Sequence, residues 1–293
     1  MRILACVSTN FTEKRTFVLA VVCLLVQGLA SAATLKINGS TTVNLPVAEA
    51  AEILRAERSM VIQVDTQGGS AGGIAALGDG LVQIGMSSKH LDETARTKYP
   101  NVDFQETRIG EDAVAMVVSK DVWDGGVRAL SKDQVRGIYE GRITNWQSLG
   151  GPDRRIVFFN KEPGRGTWEV FAHWAYGDSK KAPPVSLLEV GGNEEARNKV
   201  ASTRGALSQL SASWADGQTV FALALKNGEG QPIAPTAENI ASHRYPMSRP
   251  LFLLTNGPPA DEAKVFINFI LGERGQGLVR KHGYLSLDQL KAW

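Results

Sequence analysis

Two periods of apolar spacing follow one another along this chain. Between residues 45 and 58, apolar side chains recur three and four positions apart, which is the spacing of one buried helix face. Short apolar or alternating runs at 35–37 and 61–66 stand before and after this segment. A second helix begins near residue 74, and another apolar run follows it at 82–86. Repeated strand–helix units of this length predict an α/β protein with a parallel sheet flanked by helices.

The later part of the chain continues the same pattern with longer apolar runs. Residues 113–118 and 249–254 read as two strands that cross between lobes, one outward and one back, and 156–159 and 220–225 read as further strands. Ser131 to Gln134 is a capping box that predicts a helix through Tyr139. A last long helix is expected from Asp261 to near Gly272.

The first 32 residues have the composition of an export signal. Lys14-Arg15 precedes an almost unbroken apolar run, and Ala30-Ser31-Ala32 is a small-x-small cleavage pattern. We therefore expect a signal peptide at 1–32, removed on secretion. Both cysteines, Cys6 and Cys23, lie within it, so no disulfide is expected in the mature chain.

The charge of the mature chain is balanced. Once the charged residues of the signal are set aside, 29 basic and 29 acidic residues remain. A net charge of zero gives no indication of a nucleic-acid or membrane-surface partner. An anionic ligand would therefore have to be held by local donors rather than by the overall charge.

Three short turns rich in Gly, Ser and Thr each stand between a predicted strand and a predicted helix. They are Gly39-Ser40-Thr41-Thr42, Gly68 to Gly73, and Gly164-Arg165-Gly166-Thr167. A helix start presents unpaired N–H groups and a partial positive charge, hydroxyls add donors, and glycine permits close approach of the backbone. Three such starts that met at one point would surround a small anion with donors.

Each of these features also has an ordinary structural interpretation. Ser and Thr are the usual N-caps, a glycine-rich stretch suits a surface loop, and Lys and Arg are mostly solvated. Ser87 and Ser88 end a strand where α/β sheets bind ligands, but they also suit a routine turn. Of the two cations at the third turn, we favour Arg165 over Lys161, because Arg165 lies inside the glycine turn.

A hydrolase is the alternative from a different functional class. The segment from Gly68 to Gly72 matches the G-x-S-x-G elbow of serine hydrolases, with Ser70 as the candidate nucleophile. That chemistry needs a base, and the four histidines of the chain are scattered. The same scatter, with no cysteine after the signal, argues against a metal site, and no P-loop motif occurs. We expect neither a metal nor a cofactor.

Taken in order, these motifs resemble the phosphate-binding proteins of phosphate ABC transporters, which have the type II periplasmic-binding-protein fold. The matching segments span nearly all of the mature chain and are 38–43, 68–73, 84–88, 141–146, 164–167 and 238–251. The resemblance implies two lobes, each a mainly parallel sheet flanked by helices, joined by hinge strands. We expect lobe 1 at 33–118 and 246–293, and lobe 2 at 119–245.

The resemblance also implies an anion site between the lobes, formed by hydroxyls and backbone N–H groups. The matching positions are Ser40, Thr41, Thr42, Ser70, Ser87, Ser88, Gly166 and Thr167, with Lys161 and Arg165 as candidate cations. The implied function is capture of phosphate by a periplasmic monomer, without catalysis, for import through an ABC transporter permease in the inner membrane.

Two departures from the family pattern bear on the ligand. The third turn usually reads Gly-Ser-Gly-Thr after an upstream arginine, whereas here Lys161 stands at the arginine position and Arg165 replaces the serine. Some members carry an aspartate near Ser88 that accepts the proton of hydrogen phosphate, and here that position is a serine. Sulfate, molybdate and tungstate therefore stay alternative ligands.

Overall fold

The computed structural model describes residues 33–292, so the predicted signal peptide at 1–32 lies outside the described residues. In chain order the strands are β1 Leu35–Gly39, β2 Ile62–Asp65, β3 Ile84–Ser87, β4 Phe104–Ser119, β5 Ala129–Leu130, β6 Val157–Lys161, β7 Leu188–Val190, β8 Ala206–Ser211, β9 Val220–Ala222, β10 Ala224–Lys226, β11 Pro232–Ile233 and β12 Ser248–Asn256. The α-helices are α1 Asn44–Arg58, α2 Gly69–Gly78, α3 Glu93–Lys98, α4 Lys120–Asp124, α5 Lys132–Tyr139, α6 Gly166–Tyr176, α7 Asn193–Ser202, α8 Ala237–Ala241, α9 Asp261–Leu271, α10 Glu273–Lys281 and α11 Leu287–Lys291.

One mixed sheet of nine strands forms the frame of the described chain. Its order is β2-β1-β3-β12-β4-β8-β6-β7, with β9 paired to β4, and a small second sheet has the order β11-β10-β5. β1 is parallel to β2 and β3, and β6 is parallel to β7 and β8. The antiparallel strands β12 and β4 lie between these two parallel parts. The α/β class expected from the pattern is confirmed.

β4 passes from one part of the sheet to the other. Its residues 104–113 pair with β12, whereas 114–118 pair with β8. We call the part that contains β1, β2 and β3 the first half, and the part that contains β6, β7 and β8 the second half. The predicted lobe boundaries stay a prediction, since the contacts group Thr34–Trp293 as one unit.

Each half has its own apolar core. In the first half, the predicted face of α1 is buried against β1 and α9, with Leu54 and Phe266 at its centre. In the second half, Trp146 and Phe171 are fully buried among side chains of β4, β6 and β8. Burying side chains of this size stabilises the fold by about 1.5–3 kcal/mol each. The two cores hold the parallel strand ends, and the turns that follow them, in fixed positions.

The local predictions had mixed outcomes. The capping box at Ser131 is confirmed, because its hydroxyl accepts from the Gln134 N–H and its own N–H donates to the Gln134 side chain. The single strand predicted at 220–225 is wrong. After β9 the N–H of Leu223 still donates to β4, but the N–H of Ala224 turns to Arg128 beside β5, so the run divides between two sheets. α9 is not the last helix, since α10 and α11 follow it.

α2 packs very closely on β1 and β3, and Gly73 makes this possible. A Cβ there would lie 2.7 Å from the Asn38 carbonyl oxygen and 2.8 Å from the Met86 carbonyl oxygen. We expect Gly73→Ala to lower the free energy of unfolding by about 1–3 kcal/mol, because backbone on both sides must move. Urea unfolding measures this change.

Gly277 in α10 is the matched control for Gly73. A Cβ there would find only the Arg280 side chain, at 3.9 Å. We expect Gly277→Ala to stabilise the protein by about 0.5–1 kcal/mol, because alanine loses less backbone entropy in a helix. Equal effects of the two substitutions would contradict the close packing of α2.

Among residues 33–292, the structure has no helix that combines the length and the apolar character needed to cross a bilayer.

Candidate functional site

A small polar cavity lies between the two halves, where parallel strands end and helices begin. The first half contributes the turn after β1, the start of α2 and the end of β3, and the second half contributes the end of β6 and the starts of α6 and α7. Its lining residues are Ser40, Thr41, Thr42, Gly69, Ser70, Ser88, Lys161, Arg165, Gly166, Thr167 and Asn193. The space between them is far smaller than the roughly 300–1,000 Å³ of a pocket for a drug-sized ligand, and it suits a small ion.

Hydroxyl groups of the first half form a connected cluster. Ser40 Oγ donates to Ser88 Oγ at 3.0 Å, and Ser70 Oγ lies 3.3 Å from Ser88 Oγ. The Ser88 N–H donates to Ser70 Oγ at 3.1 Å. Ser40 Oγ also accepts from the N–H groups of Thr42 and Val43, at 3.3 and 3.5 Å. The Ser40 side chain therefore closes the turn before α1 and lines the polar cavity at the same time; the N-cap of α1 is Val43, without a side-chain cap.

The second half presents two helix starts to the same space. Gly166 and Thr167 are the first residues of α6, and Asn193 is the first residue of α7. The first N–H groups of a helix lack partners within it and carry partial positive charge. The halves also touch here, since Asn193 Nδ2 donates to Thr42 Oγ1 at 3.0 Å. The cavity therefore combines helix-start donors from one half with hydroxyls from the other.

A buried arginine–aspartate pair lies beside the cavity, on the neighbouring strands β12 and β4. Arg249 of β12 donates through Nε and Nη2 to Asp112 Oδ2, at 3.1 and 2.8 Å. Both side chains are almost fully buried, so each charge depends on the other for neutralisation. Burial raises the pKa of the Asp112 carboxyl, and the guanidinium of Arg249 opposes this rise.

The same guanidinium reaches hydroxyls of both halves. Arg249 Nη1 donates to Thr167 Oγ1 at 3.0 Å and to Ser88 Oγ at 3.3 Å, and Nη2 donates to Thr42 Oγ1 at 3.0 Å. A guanidinium has no acceptor, so these three oxygens must accept and their own protons are free to point elsewhere. Arg249 therefore turns three hydroxyls of the site into donors.

Lys161 is the buried cation of the cavity. It ends β6, it is 1% exposed, and its Nζ donates to the carbonyl oxygens of Gly191 and Gly192, at 2.9 and 2.7 Å. Burial, together with the neighbouring charges of Arg165 and Arg249, lowers its pKa to about 7. Near neutral pH this amine is therefore present in both its charged and its neutral form.

Arg165 lies at the edge of the cavity, packed between glycines of the two halves. A Cβ on Gly69 would meet its Cγ at 3.2 Å, and a Cβ on Gly191 would meet its Nη2 at 2.9 Å. Its Nε donates to Glu162 Oε2 at 2.7 Å, and its side chain is 16% exposed. Arg165 is thus partly neutralised by a neighbouring carboxylate, whereas Lys161 has only carbonyl oxygens as hydrogen-bond partners.

The structure brings together all of the predicted site residues except Ser87. The Ser87 hydroxyl donates to the Lys89 carbonyl oxygen at 2.7 Å and does not line the cavity. Ser87 is the last residue of β3, whereas Ser88 follows the strand and lines the cavity. Gly69, Asn193 and the Arg249–Asp112 pair were not predicted individually from the sequence.

The surroundings of Ser70 do not form a catalytic triad. Its hydroxyl contacts the backbone and side chain of Ser88, and no histidine of the described chain lines the cavity. His282 and His243 instead lie beside Glu49 and Glu111, at 2.9 and 3.7 Å. Within residues 33–292, no three His, Cys, Asp or Glu side chains are grouped so that they could hold a metal ion.

A mixed sheet in two halves, joined through β4 and with a small cavity between helix starts, is the architecture of a two-lobed solute-binding protein. The family model of the PBP superfamily domain matches residues 26–274. The chain belongs to this superfamily.

Two relatives of this chain within the superfamily are phosphate-binding proteins. The phosphate-binding protein PstS of Bacillus subtilis is 30% identical over 261 residues, which cover 88% of this chain and 82% of that protein. PstS of Borreliella burgdorferi is 25% identical over 260 residues, which cover 86% and 89%.

Solved structures agree with these relatives. A protein from Clostridium perfringens with bound phosphate has a TM-score of 0.76 and 28% identity, over 87% of this chain and all (100%) of that chain. An ABC-type phosphate transport receptor from Vibrio cholerae has a TM-score of 0.65 and 29% identity, over 86% of this chain and 99% of that chain. The two-lobed fold implied by the sequence resemblance is confirmed.

Proposed function

We propose that this protein captures phosphate in the cavity between its halves and delivers it for import by an ABC transporter. The observation that carries the proposal is the convergence of hydroxyls and helix starts from both halves on one small space, beside the buried Lys161. Such donors replace the water shell of a small anion, because helix N-termini bind anions through unpaired N–H groups. PstS relatives and phosphate-bound neighbours support phosphate as the anion.

The chemistry of the lining supports an anion over other solutes. The lining consists of hydroxyls, helix starts, one amide and two cations, and no carboxylate of the described residues is among them. A nucleotide or a sugar would need more space and aromatic or apolar surface. The site contains no group placed to attack a bound ligand, so we infer binding without chemical change.

Two observations support action outside the cytoplasm: the names of the relatives and the export-signal composition of residues 1–32. PstS relatives are phosphate-binding proteins, and the neighbour from Vibrio cholerae is an ABC-type transport receptor. We infer that this protein works outside the cytoplasm, in the periplasm, after removal of residues 1–32. Its partner would then be the permease of a phosphate ABC transporter, to which the loaded form is presented as a monomer.

The direct test is calorimetric titration of anion-free protein, prepared by unfolding and refolding in phosphate-free buffer. Phosphate is expected to bind with one ion per chain, and sulfate, molybdate and tungstate more weakly. Binding should also raise the unfolding temperature by mass action. Tighter binding of molybdate, tungstate or sulfate would reassign the ligand, and no heat with any of the four would contradict the function.

Ser70→Ala tests whether the cavity holds the anion. We expect a loss of affinity worth about 1–3 kcal/mol, because one buried hydroxyl and its link to Ser88 are removed. Ser87→Ala is the matched control, since it removes an adjacent buried hydroxyl that does not line the cavity. We expect little change in affinity for Ser87→Ala, measured in the same titration. Equal losses for the two variants would contradict the placement of the anion.

A further inference from the structure

Lys161, the buried cation of this cavity, makes fewer hydrogen bonds than an ammonium group can donate. An ammonium group has three N–H bonds, and Lys161 uses two of them on the carbonyl oxygens of Gly191 and Gly192. The side chain lines the cavity and is 1% exposed, so bulk water does not serve the third position. A neutral amine held by the same two bonds would present its lone pair at that position.

Charged groups surround Lys161 from several elements. Arg165 at the start of α6 and Arg249 of β12 disfavour its charge, while Glu195 of α7 and Glu162 favour it. Both carboxylates already have other partners, because Glu162 accepts from Arg165 and Glu195 accepts from the Gly191 N–H. Burial is the largest influence, and all of these influences together bring the pKa of Lys161 to about 7. The charge of this amine therefore changes near neutral pH.

Among the described residues, the rest of the lining has no carboxylate that could accept a ligand proton. Asp112 is bonded through Oδ2 to Arg249, and it is not among the lining residues. Arg249 forces the hydroxyls of Thr42, Ser88 and Thr167 to accept from it, which directs their protons elsewhere. Hydrogen phosphate carries a proton and fully ionised sulfate does not, so discrimination between them requires an acceptor.

We propose that the Lys161 amine supplies this discrimination: as an ammonium it donates to either anion, and as a neutral amine it accepts the proton that only hydrogen phosphate carries. The proposal rests on phosphate capture at this cavity as the function. No covalent bond changes. Above neutral pH the P–O–H group of hydrogen phosphate donates a hydrogen bond to the neutral Nζ. Sulfate binds only after Nζ has taken up a proton from solvent. The preference for phosphate over sulfate therefore increases as the pH rises.

The test is titration of the anion-free protein with sodium phosphate and with sodium sulfate between pH 6 and pH 9. Sulfate affinity is expected to fall above pH 7, approaching about tenfold per pH unit, because each bound ion then requires one proton. Phosphate affinity should fall less, so that the ratio of the two affinities increases at least about tenfold across the range. A ratio that stays constant from pH 6 to pH 9 would overturn the proposal.

Lys161→Arg is the matched variant, because a guanidinium keeps its charge throughout this range and has no lone pair to accept a proton. We expect its phosphate-to-sulfate ratio to change with pH only as far as the second ionisation of phosphate requires. That ionisation acts equally on both proteins, so the difference between their ratios isolates Lys161. An equal rise of the ratio in the arginine variant would overturn the assignment.

Proton uptake by the unmodified protein gives a measurement that needs no variant. Titrations at pH 8 in buffers of different ionisation enthalpy report the protons taken up with each ion. We expect close to one proton with sulfate and clearly fewer with phosphate. Equal uptake with both ions would contradict the proposal while leaving phosphate capture intact. Absence of phosphate binding at every pH would instead contradict the proposed function.

Discussion

Arg249→Met is expected to lower the free energy of unfolding by about 3–5 kcal/mol and to remove most of the anion affinity. The loss of stability has its cause in Asp112, which is 3% exposed and would keep a buried charge without a partner. The loss of affinity has a different cause. Thr42, Ser88 and Thr167 would lose the common donor that fixes the direction of their hydroxyl protons.

A second substitution separates these two causes. In Arg249→Met with Asp112→Leu, neither charge is buried alone, so we expect most of the lost stability to return. The affinity for phosphate should stay low, because the three hydroxyls still lack their donor. Urea unfolding measures the first quantity and calorimetric titration the second. Recovery of both in the double variant would show that Arg249 acts on the site only through the stability of the fold.

Much of the fold could be predicted because its signals are local. The apolar face of α1 and the capping box of α5 depend on residues within a few positions of each other. β4 was predicted only from its apolar end at 113–118, although it begins at Phe104. Its first part mixes polar and apolar residues, and the partner of residues 104–113 is β12, which lies far away in sequence. Long-range pairing of this kind leaves little trace in a local pattern.

The turns of the site could be predicted from the sequence. The Arg249–Asp112 pair could not, because its two residues lie far apart in sequence. The three glycine-rich turns meet at one cavity, since they follow parallel strands of the two halves. Arg249 and Asp112 are 137 positions apart, and their signal is faint: each is a charge directly before an apolar run. Such charges are rarely buried without a partner. Ser87 lies outside the cavity because its hydroxyl bonds locally to the Lys89 carbonyl oxygen, a contact that no motif indicates.

Gly166→Ala is expected to weaken phosphate binding at least about 100-fold, which corresponds to about 3 kcal/mol. A Cβ at this first residue of α6 would collide with Ser88 Oγ, lie 2.8 Å from Ser70 Oγ and lie 3.1 Å from the Ser88 carbonyl oxygen. The second half could then approach the first only by disrupting the hydroxyl cluster. We expect the unfolding free energy of the anion-free protein to change by less than about 1 kcal/mol, because alanine is a better helix former than glycine.

Gly192→Ala is the control on the same side of the cavity. A Cβ at Gly192 would meet only Thr41 Cγ2, at 3.5 Å, which is ordinary van der Waals contact. Its carbonyl oxygen, which accepts from Lys161, belongs to the backbone and stays in place. We expect its phosphate affinity to differ from that of the unmodified protein by no more than about threefold, or 0.7 kcal/mol. If the two alanine variants lost affinity equally, close approach of α6 to Ser70 and Ser88 would not be what completes the site.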